Sequence, residues 1–175
     1  PDKGVHVLIE AYEKLETDMP LVIVGDTPYA TEYKTRLMAT KDKRIRFLGY
    51  IYGERYRELV QQAYAYVHPL IVDGTSPALL QAMALGKCVI STDLPETMGV
   101  VEGAAMTFKS EDIEDLRAKL RFALDHPDEV ARYSSLAYQR IMEQYNWDHV
   151  AKQYEALSLK VLNKPYDIAL LSDKK

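Results

Sequence analysis

The spacing best suited to chemistry lies between Val67 and Gly86, around the turn Asp73-Gly74-Thr75-Ser76-Pro77. It reads as the end of a buried strand, a polar turn and a short helix stopped by glycine. Ser76 suits the N-cap, and Pro77 suits the first helical position, where a missing N–H costs nothing. Gly86 suits the left-handed position just past the last turn. A strand that runs into a helix N-terminus presents free N–H groups and the positive end of the helix dipole, so it can hold an anion such as phosphate. Ordinary strand-to-helix connections share this pattern without any ligand. The elements around it must decide which it is.

Val5, Leu8, Ile9, Tyr12 and Leu15 recur at helical spacing with Glu10, Glu13, Lys14 and Glu16 turned outward, which predicts an amphipathic helix from about Lys3-Gly4. Pro20 precedes the apolar run Leu21-Val22-Ile23-Val24, which ends at Gly25-Asp26 and fits a strand covered on both faces. Tyr33, Leu37 and Met38 mark a second helix, and residues 44–49 a strand. Tyr56, Leu59, Val60 and Ala63 line a third helix before the strand 65–68, whose tyrosines, Tyr64 just before it and Tyr66 within, read as packing. Cys88-Val89-Ile90-Ser91 and residues 104–108 are further strands. Ser110 is the expected cap of a helix with Glu111, Asp112, Glu114 and Asp115 at its positive end. Pro127 opens a helix to about Gln144, and a break at Asn146-Trp147-Asp148 precedes a last helix that ends before Pro165.

Helices alternating with buried strands predict an α/β fold: a doubly wound, mostly parallel, Rossmann-like sheet with added C-terminal helices. In such sheets ligands bind beyond the carboxyl ends of the strands. Gly25-Asp26, Gly49-Tyr50 and Asp73-Gly74 all fall there, where glycine lets a ligand approach the backbone. The chain has neither a GxGxxG fingerprint nor a phosphate-loop GxxxxGK[ST], which disfavours a simple dehydrogenase or P-loop NTPase.

The 175 residues suit one domain, expected over 1–165 with a tail at 166–175. A net charge of −4 without long runs of one sign argues against a general nucleic-acid or membrane surface. One cysteine, Cys88, excludes an internal disulfide framework. No apolar run is long enough to span a bilayer and no signal peptide is visible, so a cytoplasmic location is expected. The start at Pro1-Asp2-Lys3, without a methionine, is expected of a fragment or a processed product.

Lys3-Gly4 with Leu8-Ile9-Glu10-Ala11, then residues 21–26, then Phe47-Leu48-Gly49-Tyr50, then Pro69, Asp73-Gly74 and Leu80-Gln81-Ala82-Met83-Ala84 form one ordered series. Over residues 3–162 that series resembles the C-terminal, donor-binding half of a group 1 glycosyltransferase. The resemblance implies a GT-B fold and a retaining enzyme that takes a sugar from a nucleotide diphosphate without a metal or other cofactor. It implies a missing N-terminal acceptor domain, so the fragment alone is expected to be inactive. It also suggests polysaccharide biosynthesis, a glycan or lipid-linked acceptor, and peripheral membrane contact of the parent protein.

The resemblance places Lys3 at the diphosphate lysine, Asp73 on the donor sugar and Gln81 on the ribose. Gly49 and Tyr50, with Gly25, would border the base. Gly74, Thr75, Ser76, Ala78 and Leu79 would supply the turn and amides around the diphosphate. The family has glutamate at the positions of Asp73 and Gln81; here one is shorter and the other neutral, accepting only through its amide oxygen. The turn Thr75-Ser76-Pro77 is similar to a branch that includes rhamnosyltransferases, which suggests a rhamnosyl or mannosyl donor. The family's later glutamate aligns with Gly99, near Glu96.

His68 is read mainly as a structural histidine at the crevice, Cys88 as packing, and Asp93 and Glu96 as loop acids. His6, His126 and His149 lack metal-ligand spacing. Two alternatives stay open: a degenerate nucleotide-sugar-binding module without transfer activity, and another GT-B enzyme such as a sugar-nucleotide epimerase. The family's strand order puts a first strand, absent here, in the middle of the sheet. It leaves either a gap or a substitute, for which residues 167–172 are the candidate.

Overall fold

The three strand–helix–strand connections expected from the sequence are present in the computed structural model, which describes residues 2–72, 75–145 and 147–162. The order is α1 (Val5–Glu13), β1 (Leu21–Ile23), α2 (Thr31–Met38), β2 (Ile45–Phe47), α3 (Gly53–Gln62), β3 (Ala65–His68), α4 (Pro77–Ala84), β4 (Cys88–Thr92), α5 (Pro95–Val101), β5 (Met106–Phe108), α6 (Ile113–Asp125), α7 (Pro127–Gln144) and α8 (Trp147–Leu162). This is the α/β, Rossmann-like architecture that the alternation implies.

The described strands form two parallel sheets, β1–β2 and β3–β4–β5. In the larger one Ala65 faces Cys88, His68 faces Ser91, and Ser91 faces Thr107. In the smaller one Leu21 faces Ile45 and Ile23 faces Phe47. An antiparallel bridge ties Gly25 to Gly49 just beyond the carboxyl ends of β1 and β2. Among the described residues no strand lies between β1 and β3. The candidate substitute, residues 167–172, lies outside the described residues, as do Pro165 and the rest of the tail.

Helices cover both faces. On one, Leu8, Ile9 and Tyr12 of α1 and Leu116 and Leu120 of α6 pack with Cys88, Ile90, Met106 and Phe108. On the other, Val60 of α3, Leu79 and Met83 of α4 and Ala137 and Ile141 of α7 pack with Val89. Successive β4 residues alternate between these cores, and all five are buried, as a continuous apolar strand requires.

Three local expectations change. The chain between β4 and β5 is not a plain loop but α5. Pro95 opens it, Glu96 lies in its first turn, and Gly99 is inside it. Its seven residues are too few for a readable helical period. The cap of α6 is Asp112, not Ser110: its carboxylate accepts from the N–H groups of Glu114 and Asp115. Ser110 instead donates its N–H to Asp93 Oδ1 at 2.9 Å. Ser76 does occupy the N-cap of α4, with Pro77 opening the helix, but its side chain makes no capping hydrogen bond.

Candidate functional site

The carboxyl ends of β1 and β3 and the start of α4 open into one cleft of about 780 Å³, whose walls include Lys3, Gly25, Asp26, His68, Ser76 and Ala78. Backbone geometry explains why Lys3 stands there. Ile71 N–H donates to the Asp2 carbonyl at 2.9 Å, which ties the segment before α1 to the chain just past β3. Gly4, left-handed at φ +62°, then turns the chain into α1 against Pro69. Lys3 is exposed beside that turn.

The start of α4 is built as its sequence suggests. Leu80 N–H donates to the Ser76 carbonyl at 3.1 Å, closing the first turn. At the other end Lys87 N–H reaches Ala82 O at 3.1 Å and Gly86 N–H reaches Met83 O at 2.9 Å, with Gly86 at φ +67°. That is the Schellman ending, which needs a left-handed residue at Gly86. The helix therefore starts and stops where its spacing puts it, and its first turn borders the cleft. Ser76 is buried, Ala78 half-buried, and Thr75 and Gln81 exposed. Leu79 points its side chain into the core, 1% exposed, so only its backbone could serve a ligand. Asp73 and Gly74 lie outside the described residues.

The third glycine-bearing turn joins the same region through Gly25. Gly25 N–H donates to Gly49 O at 2.7 Å, and Tyr50 Oη donates to Asp26 O at 2.9 Å. Asp26 is engaged: Lys34 Nζ lies 2.7 Å away and Thr27 N–H donates to Oδ1 at 2.7 Å. The Lys34 contact first, then that amide, holds the Asp26 carboxyl below its ordinary pKa. Tyr52 joins this turn without belonging to any motif in the sequence. Its ring stacks on Tyr50 at 5.8 Å between centroids and 12° between planes, and both rings are exposed. The signal was present as two tyrosines one residue apart directly after Gly49.

His68 closes β3 as a buried ring beside Tyr66, with centroids 6.1 Å apart, and faces Ser91 across the ladder. Its neighbours suit packing, and the cleft reaches it. Cys88 is buried at the start of β4, and desolvation pushes its thiol pKa up to about 11. Among the described residues no three His, Cys, Asp or Glu side chains converge as a metal site would need.

The Glycosyl transferases group 1 family model matches residues 1–140. The chain belongs to that family. It is 27% identical over 161 residues to O-antigen chain mannosyltransferase B of Escherichia coli, covering 87% of this chain and 42% of the relative. It is 26% identical over 147 residues to D-rhamnosyltransferase WbpZ of Pseudomonas aeruginosa, covering 79% of this chain and 38% of that one. The group 1 chain thus spans less than half the length of these curated relatives. Its fold superposes on Anabaena Alr3699/HepE in complex with UDP with a TM-score of 0.79 at 21% identity, covering 90% of this chain and 46% of that one. Such partial coverage fits the C-terminal half of a GT-B glycosyltransferase. No helix among the described residues is long and apolar enough to cross a membrane.

Proposed function

We propose that this chain is the donor-binding half of a retaining glycosyltransferase, holding a nucleoside-diphosphate sugar at the mouth of the β1/β3 cleft. The supporting observation is that Lys3, Gly25, Ser76 and Ala78 all line that one cleft. A cation, a helix N-terminus and a closely approachable backbone are what a diphosphate requires. The Lys3 ammonium and the first amides of α4, including those of Ala78 and Leu79, hold the diphosphate. They stabilise the charge that grows on the leaving phosphate as the glycosidic bond breaks. Gln81 accepts from the ribose through its amide oxygen, and Asp73 contacts the sugar, with Gly74 and Thr75 shaping the turn. The Gly25–Gly49 bridge and the Tyr50 ring border the base. Mannosyl- and rhamnosyltransferase relatives and a UDP-bound structural neighbour support this substrate class. The acceptor binds to a further domain of the parent protein, and transfer requires both halves.

Calorimetric titration with UDP, GDP and dTDP tests the reading. Heat of binding with at least one is expected, and a folded sample silent to all three overturns it. Gln81 favours a second reading, a module that binds a sugar nucleotide without transferring it, because a neutral amide stands where the family has a carboxylate. Comparing the full-length protein with its Gln81→Glu variant separates the two. Transfer by the wild type removes the second reading.

A further inference from the structure

We propose that Tyr33 is a positioning residue: its hydroxyl, reaching across from α2, caps the start of α1 and so holds Lys3 at the cleft. The inference rests on the reading of Lys3 as the diphosphate contact. Tyr33 Oη accepts from the His6 N–H at 3.3 Å and lies 3.0 Å from His6 Nδ1. His6 is the second residue of α1, and Lys3 directly precedes Gly4, the N-cap of that helix.

α1 needs a cap from outside itself. The first N–H groups of a helix have no partner within it, and a Ser, Thr, Asp or Asn side chain at the N-cap ordinarily takes one of them. Here the N-cap is Gly4, left-handed at φ +62° and without a side chain to offer. A capping residue cannot replace it, because a Cβ at Gly4 would lie 1.7 Å from the Pro69 carbonyl oxygen. The close approach to Pro69 thus deprives α1 of its own cap, and Tyr33 supplies one from the next helix. The N–H it takes, that of the second helical residue, is one that an N-cap side chain ordinarily serves.

The Tyr33 ring is itself held in place. It meets the His6 ring edge-on, with centroids 5.8 Å apart and planes at 81°, and the Arg36 guanidinium lies 5.5 Å from its centroid. Burial, above all, raises the phenol above its ordinary pKa; the His6 N–H and Arg36 oppose that rise, and Asp2 adds to it. Oη therefore keeps its proton at neutral pH and can donate to the His6 ring while accepting from the backbone. On the β3 side, the segment before α1 is fixed by Gly4 against Pro69 and by Ile71 N–H on the Asp2 carbonyl at 2.9 Å. Tyr33 is its tie on the α2 side. The same helix turn reaches another wall of the cleft, because Lys34 Nζ lies 2.7 Å from the Asp26 carboxylate. Neither Tyr33 nor His6 lines the cleft, so the hydroxyl acts on a ligand only through what it holds.

The test is a double-mutant cycle in the full 175-residue chain, pairing Tyr33→Phe with Lys3→Ala. Phenylalanine keeps the ring and its contacts with His6 and Arg36 and removes only the hydroxyl. Calorimetry compares whichever of UDP, GDP and dTDP binds with its parent nucleoside. Tyr33→Phe is expected to weaken the diphosphate about five-fold, to leave the nucleoside unchanged, and to add nothing once Lys3 is alanine. A hydroxyl that only stabilises the fold would lower the urea midpoint and leave the ratio of diphosphate to nucleoside affinity untouched; that outcome overturns the proposal. Equal losses for both ligands, or a loss that persists in full in the Lys3→Ala background, overturn it as well. In each of these cases a wild type that binds the diphosphate keeps the donor-binding reading. A folded wild type silent to all three diphosphates removes that reading, and this inference with it.

Discussion

Gly4 sits so close to Pro69 that a Cβ placed on it would lie 1.7 Å from the Pro69 carbonyl oxygen and 2.8 Å from the carbonyl carbon. Both clashing atoms are backbone, so neither can swing away. Gly4 is also left-handed, at φ +62°. The same contact sets Lys3 at the mouth of the cleft. Gly86 is a useful contrast, because it has a similar φ of +67° but nothing within 4 Å of its would-be Cβ. Gly86→Ala is therefore expected to cost only the left-handed penalty, about 1 kcal/mol. Gly4→Ala adds overpacking to that penalty, for about 3 kcal/mol in total. Denaturant unfolding of both variants measures the difference; equal losses would show that the Pro69 backbone yields easily.

If Lys3 holds the diphosphate, its removal should be felt by phosphates and not by the base. Lys3→Ala is expected to weaken UDP binding about ten-fold, or about 1.4 kcal/mol, and to leave binding of uridine unchanged. Calorimetry with both ligands checks this. An equal loss for uridine would mean that the substitution disturbs the mouth of the cleft rather than the phosphate contact.

Arg44 clamps the smaller sheet to the end of α1. Its guanidinium donates to Leu15 O at 2.6 Å, Thr17 O at 2.8 Å and Tyr12 O at 3.3 Å, and pairs with Asp42 at 2.5 Å. Arg44→Ala leaves those carbonyls without their donor, and an expected loss of about 2 kcal/mol follows. The Arg44 contact chiefly holds the Asp42 carboxyl below its ordinary pKa. A depressed folded pKa contributes stability above the unfolded value, about 3.9, and loses it as pH falls through the folded value. The stability gap between wild type and Asp42→Asn should therefore be widest above about pH 4 and close in stronger acid. Urea midpoints across that range test the sign.

How much of this was legible depended on what each residue's signal rests on. Gly86 and Pro77 announce their helix ends because left-handed φ and a missing N–H are properties of the residue itself. The run from Cys88 to Ser91 reads as a buried strand for the same reason. The cap of α6 did not read correctly. Ser110 and Asp112 are both capping types within two residues, and only the tertiary bond from Ser110 N–H to Asp93 decides between them. The Lys3–Gly4 pair shows the limit for the site. The need for glycine there comes from Pro69, which is 65 positions away in the chain. The stacking of Tyr52 on Tyr50 similarly depends on how the chain leaves β2. Two variants test the cap assignment: Asp112→Ala should cost about 1 kcal/mol, and Ser110→Ala close to nothing.

Cys88 offers a direct reading of how tightly the larger sheet is closed. Its side chain is fully buried in the core that α1 and α6 form against the sheet, and desolvation raises its thiol pKa to about 11. Only the thiolate attacks a disulfide reagent, so at pH 8 the folded protein offers roughly one reactive form in a thousand, and burial denies even that form access. Labelling by an aromatic disulfide should then require opening of the sheet. The expected rate is that of global unfolding, rising with urea along the same slope as the unfolding free energy. Rapid labelling in native buffer, with no urea dependence, would mean that the sheet opens locally at β4. That outcome is least expected at this strand, because β4 alone among the described strands is paired on both sides and buried at every residue.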